Sequence, residues 1–297
     1  MGTVIDLTVT HPTPEVVLDK AIELLKMYEH RFSANDPISE LNQINHNAGT
    51  QPVNVHPELF QLIELGKKHS IDSNSNLNIA IGPLVQTWRI GFKDAKVPTD
   101  EEIQLLLQKI DPDQVLLEKN SVYLNRTDMA IDLVALAKGY IADRIIEYFE
   151  QVGVQSALLN LGGNLVTMGP AMHHPDLHWR IGIQNPIQSR CDSQLLLKVQ
   201  NKSVVTSGIY ERSLTKDGKT FHHILNSNTG YPMETNIASL TIVSDLSVDG
   251  EIWTTRLFGK PIDVILEEID VLPGIEGLVI DDQGQVFYSK NMKNFVL

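Results

Sequence analysis

Apolar residues recur at helical spacing over 14–31, where Val16, Val17, Ala21, Leu24, Leu25 and Tyr28 predict an amphipathic helix. Ahead of it, Val4-Ile5-Asp6-Leu7-Thr8-Val9 alternates as a first strand. A polar stretch over 33–39 leads into a short helix over 40–44, and a further helix is predicted over 57–69. Ser73-Asn74-Ser75-Asn76 is a turn before a short strand over 77–81; Gly82-Pro83 ends that strand and suits the first turn of a helix. Thr99 with Glu102 forms a capping-box pattern that opens a helix to about 110. Strands near 114–117, 121–124 and 129–133 precede a helix over 137–150. A buried strand over 157–161 runs into Gly162-Gly163, and 164–243 reads mostly as strands broken by Gly, Pro and Asn. Helices over 248–258 and 261–270 and two closing strands complete the pattern. The order lacks strict βαβ alternation, so the class is α+β, with mixed or antiparallel sheets and packed helices. No repeat or obvious linker appears, and the 297 residues read as one domain over 1–297 or two intimately packed subdomains.

Composition narrows the function classes. With 42% hydrophobic and 21% charged residues the chain is of ordinary globular type, which excludes disordered and collagen-like classes. Lys and Arg number 24 against 37 Asp and Glu, a net charge of −13, so no basic face for nucleic acid or an anionic membrane is expected. A phosphorylated ligand would need backbone N–H groups or a divalent cation. The single cysteine, Cys191, excludes a disulfide framework and a cysteine zinc site. No run of ~18 apolar residues predicts a transmembrane helix. The first residues lack a basic region, an apolar stretch and a cleavage site, and Asp6 interrupts a myristoylation pattern begun by Gly2. The expected location is the cytoplasm, or the cell envelope should an export signal precede this sequence.

The common nucleotide and hydrolase motifs (P-loop, G-x-S-x-G, H-E-x-x-H, G-x-G-x-x-G) are absent. What remains are polar clusters beside glycines. Asp132-Leu133-Val134-Ala135-Leu136-Ala137-Lys138-Gly139-Tyr140 places a lysine near a helix start, where it opposes the macrodipole. Either helix N–H groups and the ammonium bind an anion there, or Lys138 is a surface residue with its stem packed down. Asn160-Leu161-Gly162-Gly163-Asn164 puts two glycines after a strand, where they admit a ligand to the backbone or form an ordinary turn. Thr206-Ser207-Gly208 ends a strand with hydroxyls. His222 and His223 are adjacent in a predicted strand, so they face opposite ways and at most one serves a site. Glu251 and Thr255 are one helical turn apart; their hard oxygens suit Mg²⁺, or they form a local hydrogen bond.

Taken in order, these segments resemble the ApbE family of FAD:protein FMN transferases. The resemblance spans nearly the whole chain: Met1-Gly2-Thr3, Phe32-Ser33, Ser39-Glu40-Leu41-Asn42, Asn78-Ile79-Ala80-Ile81-Gly82-Pro83-Leu84-Val85, Asp132 to Tyr140, Asn160 to Asn164, Thr206-Ser207-Gly208, His223 to Gly230 and Glu251 to Phe258. It implies an ApbE-like fold and Mg²⁺-dependent transfer of FMN from the substrate FAD to a Ser or Thr hydroxyl of a recipient protein, with release of AMP. The metal ligands it implies are Ala135, through its carbonyl, Glu251 and Thr255, with Thr254 as a further candidate. Flavin binding would fall to Met1, Gly2, Thr3, Asn35, Asn76, Leu77, Asn78, Asp132, Lys138, Gly162, Gly163, Ser207, Ile224 and Leu225. His223 is the candidate base, since a free imidazole titrates near pH ~6.5, with Glu251 as the alternative.

The chain departs from the family pattern at Glu251, Asn78, Asn164 and Asn226, where Asp is usual, and at Asn35, where an aromatic is common. Asn35 cannot stack well and can hold water. This keeps a Mg²⁺-dependent FAD pyrophosphatase open as a second reading, and a non-catalytic flavin-binding protein as a third.

Overall fold

The structure, a computed structural model, describes residues 3–186 and 192–297; Met1, Gly2 and Cys191 lie outside them. In chain order the elements are β1 (Ile5–Thr10), α1 (Pro14–Phe32), α2 (Glu40–His46), β2 (Val53–Asn54), α3 (Pro57–Ser70), α4 (Gly82–Trp88), α5 (Asp100–Leu107), β3 (Val115–Glu118), β4 (Ser121–Leu124), α6 (Val134–Gln151), β5 (Ser156–Leu161), β6 (Asn164–Met168), β7 (Trp179–Gln184), β8 (Ser193–Val199), β9 (Ser203–Gly208), β10 (Ser213–Lys216), β11 (Lys219–His222), β12 (Ile237–Ser244), α7 (Ser247–Leu257), α8 (Ile262–Asp270), β13 (Glu276–Asp281) and β14 (Val286–Tyr288). They fall into two compact units. The first comprises Met1–Lys26, Lys138–Gly208 and Thr235–Leu297; the second comprises Met27–Ala137 and Ile209–Glu234.

The first unit is built on a seven-stranded sheet of order β1-β5-β6-β9-β12-β13-β14, antiparallel throughout. Strand β12, IASLTIVS, is buried at all eight positions, as a central strand covered on both faces must be. Edge strand β1 alternates instead, with Ile5, Leu7 and Val9 partly buried and Asp6, Thr8 and Thr10 exposed. Helix α7 packs on β9 and β12, and α8 on β13. The hairpin β7-β8 adds Trp179, Ile181 and Leu197 to a core shared with Val243, Leu278, Ile280 and Met292.

The second unit holds α2 to α5, the sheet β2-β4-β3 and the hairpin β10-β11. Its core gathers Leu84, Trp88, Ile103, Ile110 and Leu225. The Trp88 indole N–H donates to the carbonyl of Gly230 at 2.8 Å. Gly230 has φ +78°, and a Cβ there would lie 2.4 Å from Ile103, so both conformation and space require glycine. The capping box is present: Glu102 N–H donates to Thr99 Oγ1 at 3.2 Å, and Thr99 N–H to Glu102 Oε2 at 2.9 Å.

Three expectations are corrected. Residues 77–81 form no strand, because Asn78 Oδ1 accepts the Ala80 N–H at 2.8 Å and curls the chain; only an isolated bridge from Ile81 to Ala130 remains. Nor do residues 129–133 form one. The Asn45 amide takes both ladder positions of Ile131, accepting its N–H at 2.7 Å and donating to its carbonyl at 3.0 Å. Helix α5 stops at Leu107, short of 110, and the Ile110 carbonyl is taken by the Asn78 amide at 2.8 Å. Among the described residues no helix is long and apolar enough to cross a membrane.

Candidate functional site

Helix α7 carries the proposed metal ligands, and its position is fixed from its first turn. Leu246 at its N-cap offers no side-chain cap, so the opening N–H groups need another acceptor. Asp143 of α6 supplies it, accepting from Ser247 N–H at 2.7 Å and Val248 N–H at 2.9 Å. Burial raises the Asp143 carboxyl to about 6, outweighing the two N–H groups that favour its charged form.

Because the folded pKa lies above the ordinary 3.8, this group's contribution to stability is fully present below that value and is lost as pH rises through about 6. Relative to Asp143→Asn, the unfolding free energy of the parent is therefore expected to fall by about 3 kcal/mol between pH ~4 and ~6, then run parallel. Urea denaturation of both proteins across that range checks it. Parallel curves throughout would refute it.

One turn into α7, Glu251 is only 4% exposed. Its Oε1 accepts from two donors: the Lys138 ammonium at 3.1 Å and the Asn164 Nδ2–H at 2.9 Å. No described residue donates a hydrogen bond to Oε2. Thr255 lies at i+4 on the same helix, is partly buried, and its hydroxyl has no hydrogen-bond partner among the described residues. Thr254 is different. Its hydroxyl donates back to the Glu251 carbonyl at 3.1 Å and is fully buried, whereas Thr255 is only partly buried.

Burial also raises the carboxyl of neighbouring Asp249, with Asp245 adding like-charge repulsion. Among the described residues no three of His, Cys, Asp and Glu gather as metal ligands. The available donors are one carboxylate oxygen and a neutral hydroxyl. That set fits a hard ion such as Mg²⁺, which uses few carboxylates and keeps several waters.

The glycine pair forms the turn between β5 and β6. Gly162 and Gly163 have φ +65° and +90°, and Gly163 N–H donates to Asn160 Oδ1 at 2.9 Å. A Cβ on Gly162 would lie 2.1 Å from Thr3 Oγ1, whereas one on Gly163 would meet nothing within 4 Å. The space around Gly163 is therefore open. Ser207 is half-buried in β9, opposite Leu240. Met1 and Gly2 lie outside the described residues.

The remaining nominated residues belong to the second unit. Asp132 is buried and starts α6 by accepting the Val134 N–H at 2.8 Å; burial raises its pKa. The N–H groups of Leu136 and Ala137 both go to the Leu133 carbonyl, at 2.9 and 2.8 Å. Much of the helix start is therefore already satisfied, and the anion-binding reading rests on Lys138. Ala135 is in the first turn of α6, and Leu77 is buried. Asn76 is half-buried, and Asn78 is committed at both ends of its amide. Asn226 caps its own turn, its Oδ1 accepting from Asn228 and Thr229 N–H at 2.8 and 3.3 Å. Asn35 is exposed, and Gln86 Nε2–H approaches its Oδ1 at 3.5 Å.

The two histidines separate by tautomer. His222 Nε2 lies 2.8 Å from the Met233 carbonyl and must donate, while its Nδ1 accepts the Ile224 N–H at 3.3 Å. Burial lowers its pKa, so it is a neutral structural residue. His223 follows the strand rather than lying in it, and its Nδ1 faces the Arg212 carbonyl at 3.3 Å. A carbonyl only accepts, so Nδ1 carries a proton. The Ile224 carbonyl accepts the Met233 N–H at 2.9 Å, and Leu225 is buried in a bridge with Pro232. An open groove of about 390 Å³ beside β3 and β4, lined by Leu116, Glu118, Lys119 and Tyr123, contains none of these residues.

Sequence reasoning missed Asn164 as the partner of Glu251, and Ser247 and Asp143 behind it. The only signal was the departure noted at Asn164.

The fold places the protein among the flavin transferase structures of ApbE type. A crystal structure of the ApbE protein from Thermotoga maritima superposes with a TM-score of 0.90 over 99% of this chain and 96% of its own, at 25% identity. The chain belongs to the ApbE family, whose profile matches residues 1–279. A relative from Klebsiella pneumoniae (strain 342), named FAD:protein FMN transferase, is 42% identical over 254 residues, 84% of this chain and 77% of its own length. One of the same name from Treponema pallidum (strain Nichols) is 33% identical over 286 residues, 91% and 78% of the two chains.

Proposed function

We propose that this protein transfers the FMN moiety of FAD to a Ser or Thr hydroxyl of a recipient protein, with AMP as the leaving group, in a Mg²⁺-dependent reaction. The names of its relatives support the transferase reading. The observation that carries the metal and phosphate chemistry is the buried Glu251 carboxylate, with Oε1 held by Lys138 and Asn164 and Oε2 without a donor among the described residues.

Glu251 and Thr255 would hold Mg²⁺, and the Ala135 carbonyl is the third ligand the family resemblance assigns. When bound, the ion neutralises negative charge on the diphosphate. Lys138 binds and orients the phosphate oxygens as charge shifts toward the leaving group. His223 Nε2 takes the proton of the attacking hydroxyl. An O–P bond forms at the FMN phosphorus while its bond to the bridging oxygen breaks, and that oxygen departs on AMP. Gly163 and Ser207, with Thr3, Asn76, Asn78 and Asp132, are assigned to flavin binding on the resemblance alone.

Hydrolysis of FAD to FMN and AMP is the second reading, favoured by the exposed Asn35. Two incubations separate them: FAD and Mg²⁺ with a library of Ser- and Thr-bearing peptides, and the same without peptide. The expected result is a flavin mass adduct in the first and intact FAD in the second. AMP and free FMN in both arms would favour the hydrolase, and no turnover in either would leave flavin binding only.

In the transfer assay, His223→Asn keeps a donor for Arg212 but removes the base, and is expected to slow transfer by about 10²–10³-fold. His222→Gln preserves the Nε2 donor position and is expected to retain the parental rate. Equal losses in the two variants would remove the base assignment.

A further inference from the structure

We infer that Asn164 is a positioning residue whose amide sets the orientation of the Glu251 carboxylate and thereby the preference of the site for Mg²⁺ over larger divalent ions. The inference rests on the metal reading given above.

The chemistry fixes the amide. Asn164 opens β6, is fully buried, and touches two polar groups, Glu251 Oε1 at 2.9 Å and Ser247 Oγ at 2.6 Å. An ionised carboxylate only accepts, so the amide nitrogen must face Glu251. The amide oxygen then faces Ser247, whose hydroxyl must donate. Ser247 is fully buried, and its own N–H is held by Asp143 at 2.7 Å. Every link has a fixed sense, from Asp143 through Ser247 and Asn164 to Glu251.

Lys138 alone would not impose this orientation. An ammonium presents three donors on a flexible stem, and its side chain is 28% exposed. The amide is planar, buried and anchored at both ends. With Oε1 held, the carboxylate has one oxygen left to offer. A single carboxylate oxygen suits the small octahedral Mg²⁺. A carboxylate free to turn can offer both oxygens, as the larger and more adaptable Ca²⁺ accepts. Groups that orient metal ligands typically change affinity by about 10–100-fold when removed.

The test is calorimetric titration of the full chain with Mg²⁺ alone and with Ca²⁺ alone, for the parent, Asn164→Ala and Ser247→Ala. Asn164→Ala is expected to raise the Kd for Mg²⁺ about tenfold while that for Ca²⁺ moves much less. Ser247→Ala leaves Lys138, Asn164 and Glu251 in place and removes only the hydroxyl that sets the amide, so a smaller shift of the same sense is expected. Parental affinity for both ions in Asn164→Ala, or equal losses for both, would overturn the role of Asn164. If Asn164→Ala does not fold, an unchanged Mg²⁺ to Ca²⁺ ratio in Ser247→Ala overturns it instead. Failure of the parent to bind either ion would overturn the metal reading itself, a result distinct from the other two.

Discussion

Glu251→Ala is expected to lower the rate of FMN transfer by at least about 10³-fold, equivalent to about 4 kcal/mol of lost transition-state stabilisation. Two losses coincide at this residue. The substitution removes the buried carboxylate of α7, which among the described residues has one oxygen without a donor, and with it the charged ligand proposed for the divalent ion. It also strands the donors that Oε1 satisfied. Asn164 is fully buried and cannot turn to water, so its unpaired amide costs about 1–3 kcal/mol of stability. Lys138 is partly exposed and can resolvate, which keeps the total below the cost of breaking a fully buried ion pair.

Glu251→Gln separates the two effects, since it keeps the volume but removes the charge. It is expected to lose transfer nearly as completely while retaining more stability than Glu251→Ala. Single-turnover transfer at saturating FAD across a Mg²⁺ series, with thermal melts of the same preparations, provides both readouts. Transfer by Glu251→Ala within tenfold of the parent would show that the carboxylate is not a metal ligand.

What could be read from the sequence was local. The Thr99–Glu102 capping box is a contact across three residues and is present as read. The fully apolar β12 and the alternating β1 follow from burial on both faces or on one. The Glu251–Thr255 pair was legible because i and i+4 share a helix face whatever the fold. Where reading failed, a side chain had replaced backbone pairing. Asn78 and Asn45 take hydrogen bonds that an extended segment would have given to a neighbouring strand, and no periodicity records that. The partner of Glu251 was hidden differently, since Asn164 lies 87 residues earlier and meets it only once β6 and α7 are packed. The histidine pair needed the carbonyls of Met233 and Arg212 before the partners of each ring could be told apart.

The glycine of the Ala137-Lys138-Gly139-Tyr140 run is where local propensity and packing disagree most. In an isolated helix, Gly→Ala is stabilising by about 1 kcal/mol. Within α6 the opposite is expected at Gly139, a net loss of about 1–3 kcal/mol. A Cβ there would lie 2.5 Å from the Ser247 carbonyl oxygen, 2.7 Å from its carbon and 2.7 Å from Val248 Cα. All three are backbone atoms at the start of α7, so relief requires moving the helix and not a side chain. Asp143, one turn further along α6, holds that same start by two hydrogen bonds, which lengthen if α7 shifts.

Gly250 gives the contrast. A Cβ there would meet Val205 Cγ2 at 2.5 Å, a side-chain atom, and Gly250→Ala is expected to cost less. Since α7 bears Glu251 and Thr255, and Lys138 directly precedes Gly139, Gly139→Ala is also expected to weaken Mg²⁺ binding beyond its effect on stability. A fall in melting temperature of several degrees, at about 2–4 °C per kcal/mol, is the checkable result, together with a raised Mg²⁺ Kd below the transition. An Ala variant as stable as the parent would mean that α6 and α7 tolerate a wider separation than the glycine imposes, and that the site does not depend on their close approach.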